Sequence, residues 1–371
     1  MTCVLAAERV CPPGPPAPGW IAIDDGLIVE VGAGRAPGGA VDAGSAVLAP
    51  GFIDLQVNGV GDVDFFSADA VGWSRAGRAQ LEEGVTAFCP TLVTAPMDQY
   101  PTALERMVAA LADAEDQTLP TILGAHLEGP FLGGAPGAHP VALLRPADCE
   151  WLRALLATFP DLVAIVTLAP EADPGFAATR VLVEHGVTVA LGHSTATYET
   201  ARAAADAGAQ LVTHLFNGMG PLHHREPGLA GAALDDERLT PTLIADLVHV
   251  HPAALRLAMR HKHNLGLVTD RVATTSLRVT EDGGARLADG TLAGSTLSMA
   301  RAVQNTVGLG LPVERAVEMA ATIPAEALGL TDRGRIAPGM RADLVALDPS
   351  SLDVRAVWLG GEPVVGSLAP G

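Results

Sequence analysis

The sequence predicts an α/β protein: a (β/α)8 barrel with a small β-sandwich domain built from both chain termini. Three observations predict it. Between residues 51 and 334, apolar runs of strand length alternate with helical stretches, close to the eightfold repeat a barrel needs. Several of those runs are continuously apolar, as parallel strands covered on both faces must be. The flanks, 1–50 and 335–371, each hold only a few short strands, too few to bury a face alone. The simplest division is therefore one catalytic barrel over 51–334 and one small β-domain assembled from the two flanks.

In chain order, the N-terminal flank has strands at Gly19-Trp20-Ile21-Ala22-Ile23 and Leu27-Ile28-Val29-Glu30-Val31, broken by Pro- and Gly-rich links such as 11–19. Barrel strands are expected at 46–57, 85–92, 121–127, 162–168, 187–191, 210–214, 242–245 and 265–269. Helices are expected at 147–158, 175–185, 197–207 and 252–260. The C-terminal flank offers strands within 339–348 and 354–359. No fixed-period repeat suggests a solenoid. An open doubly wound sheet is the weaker alternative, because no Gly-x-Gly-x-x-Gly opens a helix after the first strand.

A hydrophobic content of 49% with 18% charged residues fits a packed globular chain and excludes disorder. No apolar run is long enough to cross a bilayer, and the first residues lack a basic, then apolar, leader. The four cysteines, Cys3, Cys11, Cys89 and Cys149, are scattered and form no Cys-x-x-Cys pair, so they read as reduced cytoplasmic thiols. A formal net charge of −19 excludes nucleic acid as a partner and requires a local cationic pocket for any anionic substrate. Lys262 is the only lysine and stands in the polar turn His261-Lys262-His263-Asn264, a poor place for a carboxylated lysine bridging two metals.

In a barrel, residues at the C-terminal strand ends converge on one mouth. Gln56, Asn58, His126, Glu128, His193, His214, His249 and Asp270 all fall at or just beyond such ends. Read singly, each histidine is an ordinary loop residue and Glu128 a helix cap. Read together, Glu128, His193 and His214 are one carboxylate and two imidazoles at one relative place in three strands, a ligand set for a catalytic divalent metal. Asp270, which alone could be a helix N-cap, becomes the general base of a metal-assisted hydrolysis. The run Pro221-Leu222-His223-His224-Arg225-Glu226-Pro227 is either a solvated loop or, with Arg225 as a bidentate donor, a phosphate clamp.

Several segments together resemble a known family: Pro50-Gly51-Phe52-Ile53-Asp54, His126-Leu127-Glu128-Gly129-Pro130-Phe131, Gly192-His193-Ser194, Thr213-His214-Leu215-Phe216-Asn217, His223-His224-Arg225-Glu226-Pro227-Gly228, Gly294-Ser295 and Gly339-Met340-Arg341-Ala342-Asp343-Leu344. They are similar to the N-acetylglucosamine-6-phosphate deacetylases of the amidohydrolase superfamily. The resemblance implies that Glu128, His193 and His214 bind the metal and that Asp270 is the catalytic acid/base. It implies that Ala138 and His139 lie near the scissile acetamide and that Asn217, Gly218, Arg225 and His249 line the sugar phosphate pocket. It also brings the backbone of Leu292-Ala293-Gly294 to the substrate.

Two departures matter. Where most of the superfamily has His-x-His, this chain has Gln56-Val57-Asn58, and neutral amides are poor transition-metal ligands. One divalent ion per chain is therefore expected, zinc first, with iron and manganese compatible with the same ligands. Second, bulky Arg271 follows Asp270, where a small residue is expected; it either pairs with an acid or enlarges the cationic surface. The implied partner is a small amino-sugar phosphate, with no nucleic acid and no membrane, and the implied assembly a cytoplasmic homodimer. The alternatives are an N-acetylgalactosamine 6-phosphate deacetylase, a cyclic-amide hydrolase on the same fold, and a non-catalytic scaffold.

Overall fold

The computed structural model describes residues 3–11, 14–113, 118–275 and 277–366; the tips of both flanks and part of the 11–19 link lie outside the described residues. Eight parallel strands form the barrel: β1 (Phe52–Val57), β2 (Val85–Val93), β3 (Ala125–Glu128), β4 (Val163–Leu168), β5 (Thr188–Leu191), β6 (Leu211–Val212), β7 (Thr240–Ile244) and β8 (Gly266–Val268). Each hydrogen-bonds its sequence neighbour in parallel register. Most of their residues are buried, which explains the near-continuous apolar runs.

The barrel closes between β8 and β1 differently. The Asp270 amide donates to the Gln56 carbonyl at 2.9 Å, and Asn58 N donates to Arg271 O at 2.7 Å. Below them the Asp54 carboxylate replaces ladder bonds, accepting from Thr269 Oγ1 at 2.6 Å and from the amides of Thr269 and Gln56, each at 3.2 Å.

Helices begin where a side chain can accept from the free amides of the first turn. Asp148 caps Cys149–Thr158, Thr197 caps Tyr198–Asp206, and the His251 side chain caps Pro252–His261. The helix expected over 175–185 begins later, at Ala177–Glu184, because Gly175 (φ 69°) and Phe176 (φ 57°) leave the helical region and confine the first turn to a 3-10 helix. The strand expected over 121–127 is likewise interrupted, at Leu123-Gly124, before β3 resumes.

The run expected as one strand over 46–57 is two strands in two sheets. Val47–Pro50 pairs antiparallel with Leu344–Leu347, whereas Phe52–Val57 is β1 of the barrel. The handover occurs at Gly51, whose amide donates to Asp343 O while the next amide donates to Gly84 O. A Cβ at Gly51 would stand 2.2 Å from the buried Thr86 hydroxyl.

The small β-domain is one mixed sheet running Glu362–Gly366, Val354–Leu359, Leu344–Leu347, Val47–Pro50, Cys3–Val10, Ala17–Asp24, Leu27–Ala33, with Val41–Asp42 beside Cys3–Val10. Its central strands alternate between two cores, as the period of two requires. Leu48, Leu344, Ala346, Ala356 and Trp358 enclose the small core with Leu5, Ile21 and Ile28. Val47, Ala49, Val345, Leu347, Val357 and Leu359 join the barrel's hydrophobic core.

Lys262 is not exposed on its polar turn. Its side chain is fully buried at the end of Pro252–His261, and Nζ donates to the Asp236 carbonyl at 2.7 Å. That end of the helix leads into the start of β8, so Lys262 lies at the opposite end of the barrel from the strand C-termini.

The handover makes a stability prediction. Gly51→Ala should lower the free energy of unfolding by about 1–3 kcal/mol, the usual range for an added methyl in a packed site. An unchanged urea midpoint would show that the junction has slack.

Candidate metal centre

Glu128 is the last residue of β3 and is 2% exposed. His193, His214 and Asp270 each stand two residues past the ends of β5, β6 and β8, all buried. Each of the three has positive φ, at 48°, 32° and 47°. That left-handed turn is sparsely populated by non-glycine residues and persists where surrounding structure imposes it. Here it turns three side chains inward across the mouth.

Glu128 Oε1, His193 Nε2 and His214 Nε2 form a triangle with edges of 2.9, 3.1 and 3.1 Å. Ligands held at roughly 2.0–2.1 Å around a tetrahedral ion are about 3.3 Å apart, so the spacing fits a divalent metal. The tautomer fits too. His193 Nδ1 lies 3.1 Å from the Ala135 carbonyl, which can only accept, so Nδ1 carries a proton and Nε2, which hydrogen-bonds Glu128 here, is the nitrogen that would offer its lone pair to an ion. His139 also belongs to the neighbourhood: donor atoms of Glu128, His139 and His193 all lie within 4.8 Å of one another.

Burial would push the Glu128 carboxyl up, but hydrogen bonds from His193 and His214 outweigh it and hold Glu128 well below the usual range. Burial opposes charge on His214, yet its bond to Glu128 raises it on balance. His139 is pushed down to about 3 by burial and by His193, and is neutral. Asp270 is raised to about 6 by burial and by the Glu128 charge.

Gln56 and Asn58 have a clear task. Gln56 Nε2 donates to Glu128 Oε1 at 3.0 Å and to Asp270 Oδ1 at 3.2 Å, and Asn58 Nδ2 donates to Asp270 Oδ1 at 2.8 Å. Two amides thus hold two carboxylates side by side.

These groups lie in a cavity of about 420 Å³. Ala138, His139, Asn217, Gly218, His249, Leu292, Ala293 and Gly294 line it together with Glu128, His193, His214 and Asp270. Arg225 does not. It is exposed on its loop with Nη1 2.8 Å from His224 Nε2, outside the cavity lining. His126, expected at the mouth, sits one layer deeper inside the barrel, between Leu55 O at 2.9 Å and Thr167 Oγ1 at 2.7 Å. It is two residues before Glu128 on the same strand face, and strand alternation sets it below the site. Arg271 turns away from the cavity and pairs with Glu83 at 2.6 Å, which is the acid-pairing alternative.

Other contributors were not legible in the sequence. The antiparallel sheet of Arg278–Val279, Gly284–Arg286 and Leu292–Ser295 follows β8, and Leu277 and Leu287 join the expected Leu292 in lining the cavity. Asp246 accepts from His249 Nδ1 at 2.6 Å, leaving the other ring nitrogen for the cavity. Glu171 accepts from Gly134 N (3.1 Å), Ser194 Oγ (2.6 Å) and Thr195 N (2.7 Å), tying the loop before His139 to the turn after His193. Such pairings leave no motif, although Asp246 three residues before His249 has the spacing of a side-chain turn.

The closing carboxylate gives a pH prediction. Burial raises the Asp54 carboxyl from its ordinary 3.8 to about 7, with bonds from Thr269 and Gln56 only partly opposing. The folded state keeps a proton that the unfolded chain releases. The stability Asp54 contributes is therefore full below about pH 4 and lost as pH rises through 7. In metal-free protein, wild type should lose stability relative to Asp54→Asn across that window, with a slope approaching about 1.4 kcal/mol per pH unit. Parallel curves in urea unfolding at pH 5 and 7.5 would remove Asp54 as the cause.

Comparison with known proteins bears on this arrangement. The Amidohydrolase family model matches residues 47–364. An N-acetylglucosamine-6-phosphate deacetylase of Bos taurus is 41% identical over 349 residues, covering 87% of this chain and 84% of the relative. An N-acetylgalactosamine-6-phosphate deacetylase of Escherichia coli O157:H7 is 37% identical over 382 residues, covering 98% and 99%. Among solved structures, a mutant N-acetyl-D-glucosamine-6-phosphate deacetylase from Mycobacterium smegmatis in complex with N-acetyl-D-glucosamine-6-phosphate matches with a TM-score of 0.91 at 37% identity, over 98% of this chain and 100% of that one. From the strand that leads into the barrel to the last strand of the small sheet, the chain belongs to the amidohydrolase family.

Proposed function

We propose that this protein is a metal-dependent deacetylase that converts N-acetyl-D-glucosamine 6-phosphate to D-glucosamine 6-phosphate and acetate. The observation that carries the chemistry is the convergence of Glu128 Oε1, His193 Nε2 and His214 Nε2 beside Asp270 in one cavity. The substrate comes from the relatives that share fold and sequence along nearly the whole chain. The Escherichia coli relative keeps the galactosamine epimer as a second substrate to test.

Glu128, His193 and His214 would hold one divalent ion, zinc in our reading, with iron or manganese suited to the same donors. When bound, the ion supplies Lewis acidity that polarises the acetamide carbonyl and acidifies water. Asp270 takes a proton from the attacking water as its oxygen bonds to the acetyl carbon. It then delivers that proton to the sugar nitrogen as the C–N bond breaks. Gln56 and Asn58 fix the Asp270 carboxylate for both transfers. His139, neutral and lining the same cavity, is placed to meet the carbonyl oxygen.

His249, braced by Asp246, lines the same cavity as Asn217 and Gly218, and in this reading these residues meet the phosphate. Arg225, exposed on its loop and outside the cavity lining, is the cationic group that the family resemblance assigns to the same phosphate. In a chain of net charge −19, that local cationic group sets where the dianion can bind. The reading includes a cytoplasmic location, in keeping with four free cysteines, and a homodimer, which rests on the family resemblance.

Acetate release from phosphorylated and unphosphorylated N-acetyl sugars of both epimers, with defined metal, tests the proposal; no preference for the phosphorylated sugars would reject it. Purified protein should carry one tight ion by elemental analysis, lost in His193→Ala and His214→Ala, and two equivalents after chelator washing would exclude the single-ion site. Asp270→Asn should reduce kcat by about 10²–10⁴ with metal content unchanged, because it keeps shape but not basicity. Near wild-type turnover would remove Asp270 from the proton path.

A further inference from the structure

Thr94 stands one residue past the end of β2, buried at 5% exposure and outside the cavity lining. Its Oγ1 lies 2.8 Å from His139 Nδ1 and 3.4 Å from the Glu128 carbonyl. The hydroxyl has one proton: it either donates to Nδ1 or, accepting from an Nδ1–H, is left with only the Glu128 carbonyl to donate to. Ordinary O–H···O bonds span about 2.5–3.0 Å, so the carbonyl is beyond good range and the imidazole nitrogen is within it. The other ring nitrogen gives the same answer independently. His139 Nε2 faces Glu128 Oε2 at 3.8 Å. A bare lone pair there would face a carboxylate lone pair, whereas an Nε2 proton faces it favourably.

We infer that Thr94 is a positioning residue: its hydroxyl donates to His139 Nδ1, fixes the Nε2–H tautomer, and makes His139 a hydrogen-bond donor to the cavity instead of a metal ligand. Resting on the deacetylase reading, this decides between two roles for His139. Nε2 lies in a donor group with Glu128 and His193 that could hold a metal. A protonated Nε2 cannot ligate, so that group is not a second ion site. His139 lines the cavity in which, under the deacetylase reading, negative charge develops on the acetamide oxygen, and a fixed donor there acts without reorganisation.

A Cβ on Gly129 would stand 2.1 Å from Thr94 Oγ1, so the backbone beside Glu128 lies against the hydroxyl.

The test uses Thr94→Val, which removes the hydroxyl at similar volume, and Thr94→Ser, which restores it. In ¹⁵N-histidine NMR of metal-loaded protein, with His139→Asn to identify the signal, wild type and Thr94→Ser should show His139 protonated at Nε2. Thr94→Val should show a shifted tautomer population. Its kcat should fall about 10–100-fold, below the 10²–10³ typical for complete loss of one oxyanion donor, because part of the population keeps the working tautomer. KM should stay within twofold and the first ion should be retained, and Thr94→Ser should recover kcat to within threefold. Wild-type His139 protonated at Nδ1, or wild-type kcat in Thr94→Val, would overturn the inference. If Thr94→Val fails to fold, the wild-type tautomer still decides it. Wild-type protein that releases no acetate would defeat the deacetylase reading while leaving the tautomer result standing.

Discussion

A carboxylate buried at the end of a parallel strand is costly unless its charge is met, and the site follows from how Glu128 is met. One oxygen faces His193, His214 and Gln56; the other faces His139. Three of those partners arrive from other strand-and-loop units and His139 from the loop that follows β3 itself, so the charge is satisfied only when the barrel has closed and its loops have turned inward. The left-handed turns at His193, His214 and Asp270 are local strain that this closure sustains.

A second carboxylate next to the first would ordinarily be repelled, and Asp270 is indeed held up by Glu128. The two remain adjacent because Gln56 donates to both and Asn58 adds a further bond to Asp270. Replacing a potential His-x-His pair by amides therefore changes more than the number of ions. It sets a hydrogen-bonded bridge between Glu128 and Asp270, giving two carboxylates different environments within one cavity.

Glu128, His193, His214 and Asp270 were readable because each sits at the end of an apolar run, and a parallel barrel sends all such ends to one mouth. The barrel itself was readable for the same reason. What escaped was set by contacts distant in sequence. Arg271 looked like an anomaly until Glu83 supplied its partner, and Lys262 looked exposed because its neighbours in sequence are polar while its partner in space is the Asp236 carbonyl. The break at Gly51 was invisible because 46–57 is apolar on both sides of it; only the change of hydrogen-bond partners from Asp343 to Gly84 reveals two sheets. Arg225 shows the converse, a residue that motif and charge place at the substrate while the fold leaves it on an exposed loop.

The alternation of the small sheet between two cores has a consequence for synthesis. Val47–Pro50 is made before the barrel, yet one of its sheet neighbours, Leu344–Leu347, is made only after it. Until then Val47 and Ala49 lack the neighbouring side chains of Val345 and Leu347, and the strand presents an open edge. The ribosome thus releases nearly the whole barrel before its apolar cover can form. A nascent chain in that state is a natural client for holdase chaperones, and the pace at which the last strands leave the exit tunnel sets how long it must be shielded.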